Sequence, residues 1–275
     1  TLFRSQDARR QLACQVARSE LPVLVTGGTG WLGRSVVAEL VRSQVPARVL
    51  TRSTRADEPG VTYITGDLCD GSGLTRALDG VQAVINCATD PLHASDVDVD
   101  GTRRLAMAAL DGDPPQVVQV SIVGCWDNPV SYYRAKAQAE TVLVQSGLPH
   151  TIVRATQFHP MGAQFFGLQP GGISFAPKDF RAAPVDPEWV AKTLVDVALA
   201  DEPVTGPVEL AGPEVLSARE IAVLASHVRG VKLRRTVNVP PVGGVLKAFA
   251  RGSNLPGPTA RRGGITLAAW LTANR

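Results

Sequence analysis

Aromatic residues make up only 5% of the chain, and four cysteines and four histidines are all that 275 residues contain. Cys14, Cys69, Cys87 and Cys125 form no CxxC pair, and their spacing fits no zinc ligand set. They read as free thiols of a reducing cytoplasm, where Cys behaves as a small buried apolar residue. His93, His150, His159 and His227 make neither an HExxH pattern nor a tight cluster, so no metal site is expected. No apolar run reaches the ~20 residues that span a bilayer, and no membrane partner is expected. An excess of one charge is missing too: 28 Lys and Arg stand against 25 Asp and Glu, a net charge of +3 spread along the chain. A nucleic-acid partner would call for a clustered basic face. Residues 1–20 carry Arg4, Asp7, Arg9, Arg10 and Arg18 with no apolar stretch, unlike a secretory signal. They are set apart as an N-terminal extension, and a cytoplasmic location is expected.

Apolar residues supply 44% of the chain, enough for a sizeable core. Their pattern alternates. Short β-branched runs at 21–26, 47–50, 61–65, 81–86, 117–123 and 151–154 read as buried strands. Helical spacing fills 31–43, 74–78, 100–110 and 131–145. Strands alternating with helices predict right-handed crossovers and a parallel sheet, an α/β doubly wound fold. After about residue 156 the rhythm changes, with Gly and Pro at 170–172, 240–244 and 255–258. Asp186-Pro187 reads as a helix start running to about Ala200. Ser217-Ala-Arg-Glu220 reads as a capping box leading to Val228. Val231–Val239 reads as a strand and Thr266–Ala273 as a short helix. The division expected is an extension (1–20), a dinucleotide-binding core (21–160) and a smaller substrate lobe (161–275), parts of which return to the core.

The strongest motif is Thr26-Gly27-Gly28-Thr29-Gly30-Trp31-Leu32-Gly33, between the first strand and the first helix. In that setting a GxGxxG pattern points to a dinucleotide. Gly28 and Gly30 would allow a tight turn and close approach to a pyrophosphate, and Gly33 close helix–strand packing. The helix N-terminus would present free N–H groups to the phosphates, and Arg34 could add a charge. NAD sites place an acid at the end of the second strand. Here that strand runs into Arg52-Ser53-Thr54-Arg55, with no acid before Asp57. Arg52 would suit a 2′-phosphate, so NADP(H) is expected over NAD(H). Asp67, ahead of Leu68, would accept from the adenine amino group. Cys87, Ala88 and Thr89 end the fourth strand, where the backbone should pass the nicotinamide ribose.

Tyr132 and Lys136 stand four apart on a predicted helix and share one face. An ammonium beside a phenol favours the phenolate, so Tyr132 could give a proton to a carbonyl oxygen or take one back. Ser121, at the end of the fifth strand, would orient the substrate carbonyl.

These motifs, TGGTGWLG (26–33), the Arg52 strand end, GDL (66–68), VSIVG with Ser121, YYRAK (132–136) and RATQFH (154–159), resemble the short-chain dehydrogenase/reductase superfamily, specifically its atypical, NmrA-like NAD(P)H-binding branch. The resemblance covers about residues 21–160 and continues more weakly beyond. It implies a Rossmann core with a small C-terminal substrate lobe. It also implies an NADP-dependent oxidoreductase that moves a hydride between the nicotinamide and a small carbonyl or alcohol. The branch also includes dinucleotide sensors without turnover, whose founding regulators lack the tyrosine that this chain keeps. An epimerase or dehydratase with tightly held cofactor is a further alternative. Two departures stand out: NCAT (86–89) where many reductases have NNAG, and Asp100-Gly101 at a helix start where relatives have Asn. Trp126, Gln157, Phe158, His159 and Phe165 are substrate-pocket candidates by position, and His159 could serve as an auxiliary acid or as a seam residue. The substrate and the oligomeric state are not legible.

Overall fold

The computed structural model describes residues 20–161, 172–228, 230 and 232–274. Cys14, Phe165 and most of the N-terminal extension lie outside them.

The main sheet has eight strands. In chain order these are β1 (Val23–Thr26), β2 (Ala47–Thr51), β3 (Val61–Thr65), β4 (Ala83–Asn86), β5 (Gln116–Ile122), β6 (His150–Ala155), β9 (Val208–Ala211) and β12 (Arg261–Arg262). Their spatial order is β12-β9-β6-β5-β4-β1-β2-β3, and each pairing is parallel. The core order 3-2-1-4-5-6 is that of a Rossmann sheet, with its switch point between β1 and β4. Strands covered on both faces must be apolar along their whole length. β1 and β4 accordingly have no exposed residue.

Helices α1 (Trp31–Arg42) and α5 (Pro187–Ala198) lie on one face, packed against each other. Leu32, Val36, Leu40, Val190 and Leu194 close over Val23, Val25 and Ile85 there. On the other face, α2 (Leu74–Leu78), α3 (Gly101–Ala109) and α4 (Ser131–Ser146) cover Leu24, Val84 and Val117 with Leu74, Leu105 and Leu143. A π-helical turn, Ser95–Asp100, leads into α3.

The smaller part holds β7 (Ile173–Pro177) paired with β11 (Arg235–Val239), and β8 (Arg181–Ala182) paired with β10 (Leu216–Ser217). With them go α6 (Ala218–Val228), α7 (Gly243–Ala250) and α8 (Leu267–Ala273). Its core is Phe180, Ala182, Ile221, Leu267 and Leu271. The caps follow the sequence chemistry. The Glu188 N–H donates to the Asp186 side chain at 3.1 Å, with Pro187 at the first helical position. Ser217 and Glu220 exchange their bonds at the start of α6.

One expectation from periodicity shifts: the strand read at 231–239 begins only at Arg235. Within the Gly/Pro stretch at 240–244, Gly243 opens α7.

Candidate active site

The β1–α1 loop crosses the C-terminal edge of the sheet at the switch point. Gly27 has φ +65°, and a Cβ there would lie 2.7 Å from the Ala88 backbone. A Cβ on Gly33 would lie 2.1 Å from the Gly27 carbonyl. The left-handed position is therefore Gly27, just before the Gly28–Gly30 pair that the motif alone favours. Gly28 is needed for another reason, since a side chain there would strike Val49 at 2.7 Å. The turn closes through Gly30 N–H to the Gly27 carbonyl at 2.9 Å. No side chain caps α1 at Gly30, which leaves its first N–H groups, beginning at Trp31, for an anion. Trp31 is exposed, whereas Leu32 packs into the core. Space that a Cβ would fill and an uncapped helix start together fit a dinucleotide pyrophosphate.

Around this turn, Arg52 is exposed just past the end of β2. The Arg55 guanidinium sits 5.8 Å from the centre of the Tyr63 ring. Asp67 makes an Asx turn: its Oδ1 accepts from Cys69 N–H at 2.9 Å, which leaves its second oxygen unengaged by that turn. Leu68 is buried under α3. The Cys87 and Ala88 N–H groups donate to the Thr26 carbonyl at 3.2 Å and the Thr26 hydroxyl at 3.3 Å. The end of β4 is thus tied to the glycine turn. Burial pushes the Cys87 thiol up to about 12, away from thiolate chemistry.

Tyr132 and Lys136 meet in the first turns of α4, with the ammonium 5.8 Å from the phenol ring centre. The half-buried Tyr132 hydroxyl lies 3.1 Å from Thr89 Oγ1. Thr89 Oγ1 lies 3.2 Å from Asp98 Oδ2. Asp98 Oδ1 in turn lies 2.8 Å from Lys136 Nζ, which also donates to the Val120 carbonyl at 3.1 Å. Asp98 and Lys136 are both almost fully buried. Burial alone would lower the Lys136 pKa, but Tyr132 and Asp98 outweigh it and hold the ammonium above its ordinary range. The phenol, a hydroxyl, a carboxylate and an ammonium thus form one continuous polar chain.

Asp98 is an acid at the site that the sequence did not single out. Asp100, two residues on, pairs instead with Arg103 near the surface. The π-helical turn accounts for this, because its wider winding shifts the register ahead of α3. Such turns gather at functional sites. In sequence, Asp98 is one of three acids alternating with Val, and nothing distinguishes it there.

Ser121 is engaged by another acid. Its hydroxyl donates to Glu140 Oε1 at 2.5 Å beside Cys125, and it makes no hydrogen bond to Tyr132. The hydroxyl beside Tyr132 belongs to Thr89. Glu140, one turn past Lys136, also accepts from Trp126 Nε1 at 2.7 Å and from Arg154 Nε and Nη2 at 2.9 and 2.6 Å. Burial works against its charge, but the Arg154, Ser121 and Trp126 donors prevail and hold the carboxyl below its ordinary range.

The remaining pocket candidates separate. Trp126 belongs to the Glu140 cluster. Gln157 donates to the Tyr133 hydroxyl at 3.2 Å and accepts from Asn254 at 3.3 Å. It therefore stands one side chain away from Tyr132. Phe158 packs into the main core and bridges to Val185. His159 is fully buried, 3.0 Å from the Ile265 carbonyl and against Trp270. Burial lowers its pKa. It is a seam residue, tying the end of β6 to the C-terminal helix.

Comparison with known proteins agrees with this geometry. Residues 27–201 match the family described as NAD(P)H-binding. The chain is 30% identical over 219 residues, 77% of its length and 75% of the relative, to (4-alkanoyl-5-oxo-2,5-dihydrofuran-3-yl)methyl phosphate reductase of Streptomyces griseus. It is 33% identical to the photosystem II assembly factor Ycf39 of Synechocystis, over half of this chain but only 44% of that one. In fold it is similar to the NADPH-dependent quinone oxidoreductase QOR2 of Escherichia coli, with a TM-score of 0.74, 17% identity and coverage of 92% and 99% of the two chains. The glycine turn, the switch-point site and these relatives agree: the chain belongs to the NAD(P)H-binding family of atypical, NmrA-like short-chain dehydrogenases/reductases.

Proposed function

We propose that the protein is an NADP(H)-dependent reductase of a small carbonyl compound. The observation that carries this reading is the polar chain from Tyr132 through Thr89 and Asp98 to Lys136, beside the glycine turn. The turn and the first N–H groups of α1 would hold the pyrophosphate, and exposed Arg52 a 2′-phosphate. A nicotinamide held there would supply the hydride. Tyr132 then donates its hydroxyl proton to the substrate oxygen, and Thr89 orients the phenol. Lys136 favours the phenolate left behind. In the reverse direction Tyr132 accepts the proton. The Streptomyces relative is named for a phosphate-bearing substrate with an oxo ring and an alkanoyl group. A phosphorylated carbonyl compound is therefore the first substrate class to test.

The test is NADPH oxidation against a panel of quinones and phosphorylated ketones, with Tyr132→Phe as the control. The variant should lose activity by about 10²-fold or more with NADPH affinity unchanged. Equal rates in the two proteins would remove Tyr132 from the chemistry. Arg52→Asp should weaken NADPH binding by about tenfold or more and spare NADH. An unchanged preference would remove Arg52 from the cofactor site.

A second reading is favoured by the similarity to Ycf39, named as an assembly factor. In it the protein binds NADP(H) and acts on a partner without turnover. Tight cofactor binding with no turnover across the whole panel would favour it.

A further inference from the structure

The smaller lobe contains a cavity of about 650 Å³, within the range of small-ligand sites. Its wall is the β7–β8 turn with Lys178, Asp179, Phe180 and Arg181, faced by Arg219 at the start of α6 and Asn238 on β11. Three cations therefore stand around one carboxylate. The side chains of Lys178, Arg181 and Arg219 have no hydrogen-bond or ion-pair partner among the described residues. They come from two separate segments, and the fold brings their like charges to one concave place. Three cations against the single carboxylate of Asp179 leave an excess of positive charge that favours an anion between them.

Packed side chains, among them the buried Phe180, Tyr133 and Asn254, separate the cavity from the Tyr132 site. Phe180 packs on Phe249 with ring centres 5.6 Å apart, and Phe249 meets Tyr133 edge-on at 6.0 Å. The Arg181 carbonyl accepts from Asn254, which also donates to Gln157, the partner of the Tyr133 hydroxyl. An anion here would be separated from the reacting centre by these few side chains.

We propose that this cavity is a second ligand site, separate from the Tyr132 site, that binds a phosphate monoester. It does not depend on the reductase reading. Lys178, Arg181 and Arg219 would donate charge-assisted bonds to the phosphate oxygens, and Phe180 would line the apolar part of the ester.

The experiment is calorimetric titration of the full chain with phenyl phosphate. The protein is first saturated with NADP+ so that the glycine turn is not available to the probe. Phenyl phosphate should bind, and phenol should not. The exposed pair Lys178→Gln with Arg219→Gln should weaken binding by about tenfold or more with NADPH affinity unchanged, which also reports that the variant is folded. Arg219→Lys, which keeps the charge, should retain most of the affinity. The proposal is overturned by no binding, by equal affinity in the double variant, or by binding that NADP+ abolishes. Failure to bind NADPH at all would remove the reductase reading, while the phenyl phosphate titration would still decide the cavity.

Discussion

Helix α4 carries two buried ion pairs one turn apart, and they are built differently. Glu140 faces Arg154 and takes further donors from Ser121, Cys125 and Trp126, so both of its oxygens are enclosed. Asp98 faces Lys136, but its second oxygen leads outward through Thr89 to the half-buried Tyr132 hydroxyl. A buried charge is tolerated when its lone pairs are satisfied. The Glu140 pair meets that condition entirely from within and pins α4 to β5 and β6. The Asp98 pair meets it by a chain that ends at a group able to exchange a proton. What separates a structural ion pair from a chemical one here is whether the network has an outlet and not depth, since the Asp98 pair is the more buried of the two.

The largest break in this comparison is Glu140→Gln. It leaves the Arg154 guanidinium without its carboxylate, and removing one partner of a buried pair costs about 3–5 kcal/mol. Urea unfolding should show that loss, with a shared transition for all probes. The wild-type pair should also be sensitive to acid. The Glu140 carboxyl is held below its ordinary range when folded, so its stabilisation is present above that range and is lost as pH falls through the folded value. The difference between wild type and Glu140→Gln should shrink in acid, and a constant difference would disprove the assignment.

Asp98→Asn should have a smaller effect on stability, about 1–3 kcal/mol, because Lys136 can give up its proton beside the amide, whereas the Arg154 guanidinium left by Glu140→Gln cannot. Its signature lies on the alkaline side. Lys136 is held above its ordinary value in the fold. Its contribution is therefore complete below the unfolded value and is lost as pH rises through the folded one. Without the Asp98 charge, burial gains weight and that loss should begin at lower pH. Unfolding curves measured from neutral to strongly alkaline pH would show the movement, as would the alkaline limb of reductase activity. An unmoved limb in both would separate Asp98 from the Tyr132–Lys136 pair.

The Rossmann core was legible because its signals are local. A β-branched run, a glycine turn and 3.6-residue spacing lie within a few residues of one another, and β3 and α2 have the bounds that their patterns predict. Tyr132 and Lys136 were legible for the same reason. Asp98 was not, because its contact depends on a π-helical register and on a partner 38 positions away, from Asp98 to Lys136. Glu140 was hidden in an ordinary amphipathic stretch, and only the positions of Arg154 and Ser121 make it a centre. The bond of Ser121 to Glu140 was not legible, because strand position fixes the end of the sheet a residue occupies, but not which buried acid takes its hydroxyl. β8 and β10 of the smaller lobe and β12 at the edge of the main sheet have only two residues each, too few for any period to register.

The finest cut is Trp126→Phe. The indole gives one of several donors to Glu140, and its ring is 58% exposed. Removing that donor costs the net value of a single hydrogen bond to a charged group, about 1.5–3 kcal/mol when enclosed. It should fall toward the lower end here, because Arg154 continues to engage both Glu140 oxygens and water can reach the vacated position. Chemical unfolding should register this loss, and the rate with any substrate found for the Tyr132 site should not change. If the rate fell as well, Trp126 would belong to the substrate pocket, and the division of α4 into an enclosed pair and an open one would fail at that residue.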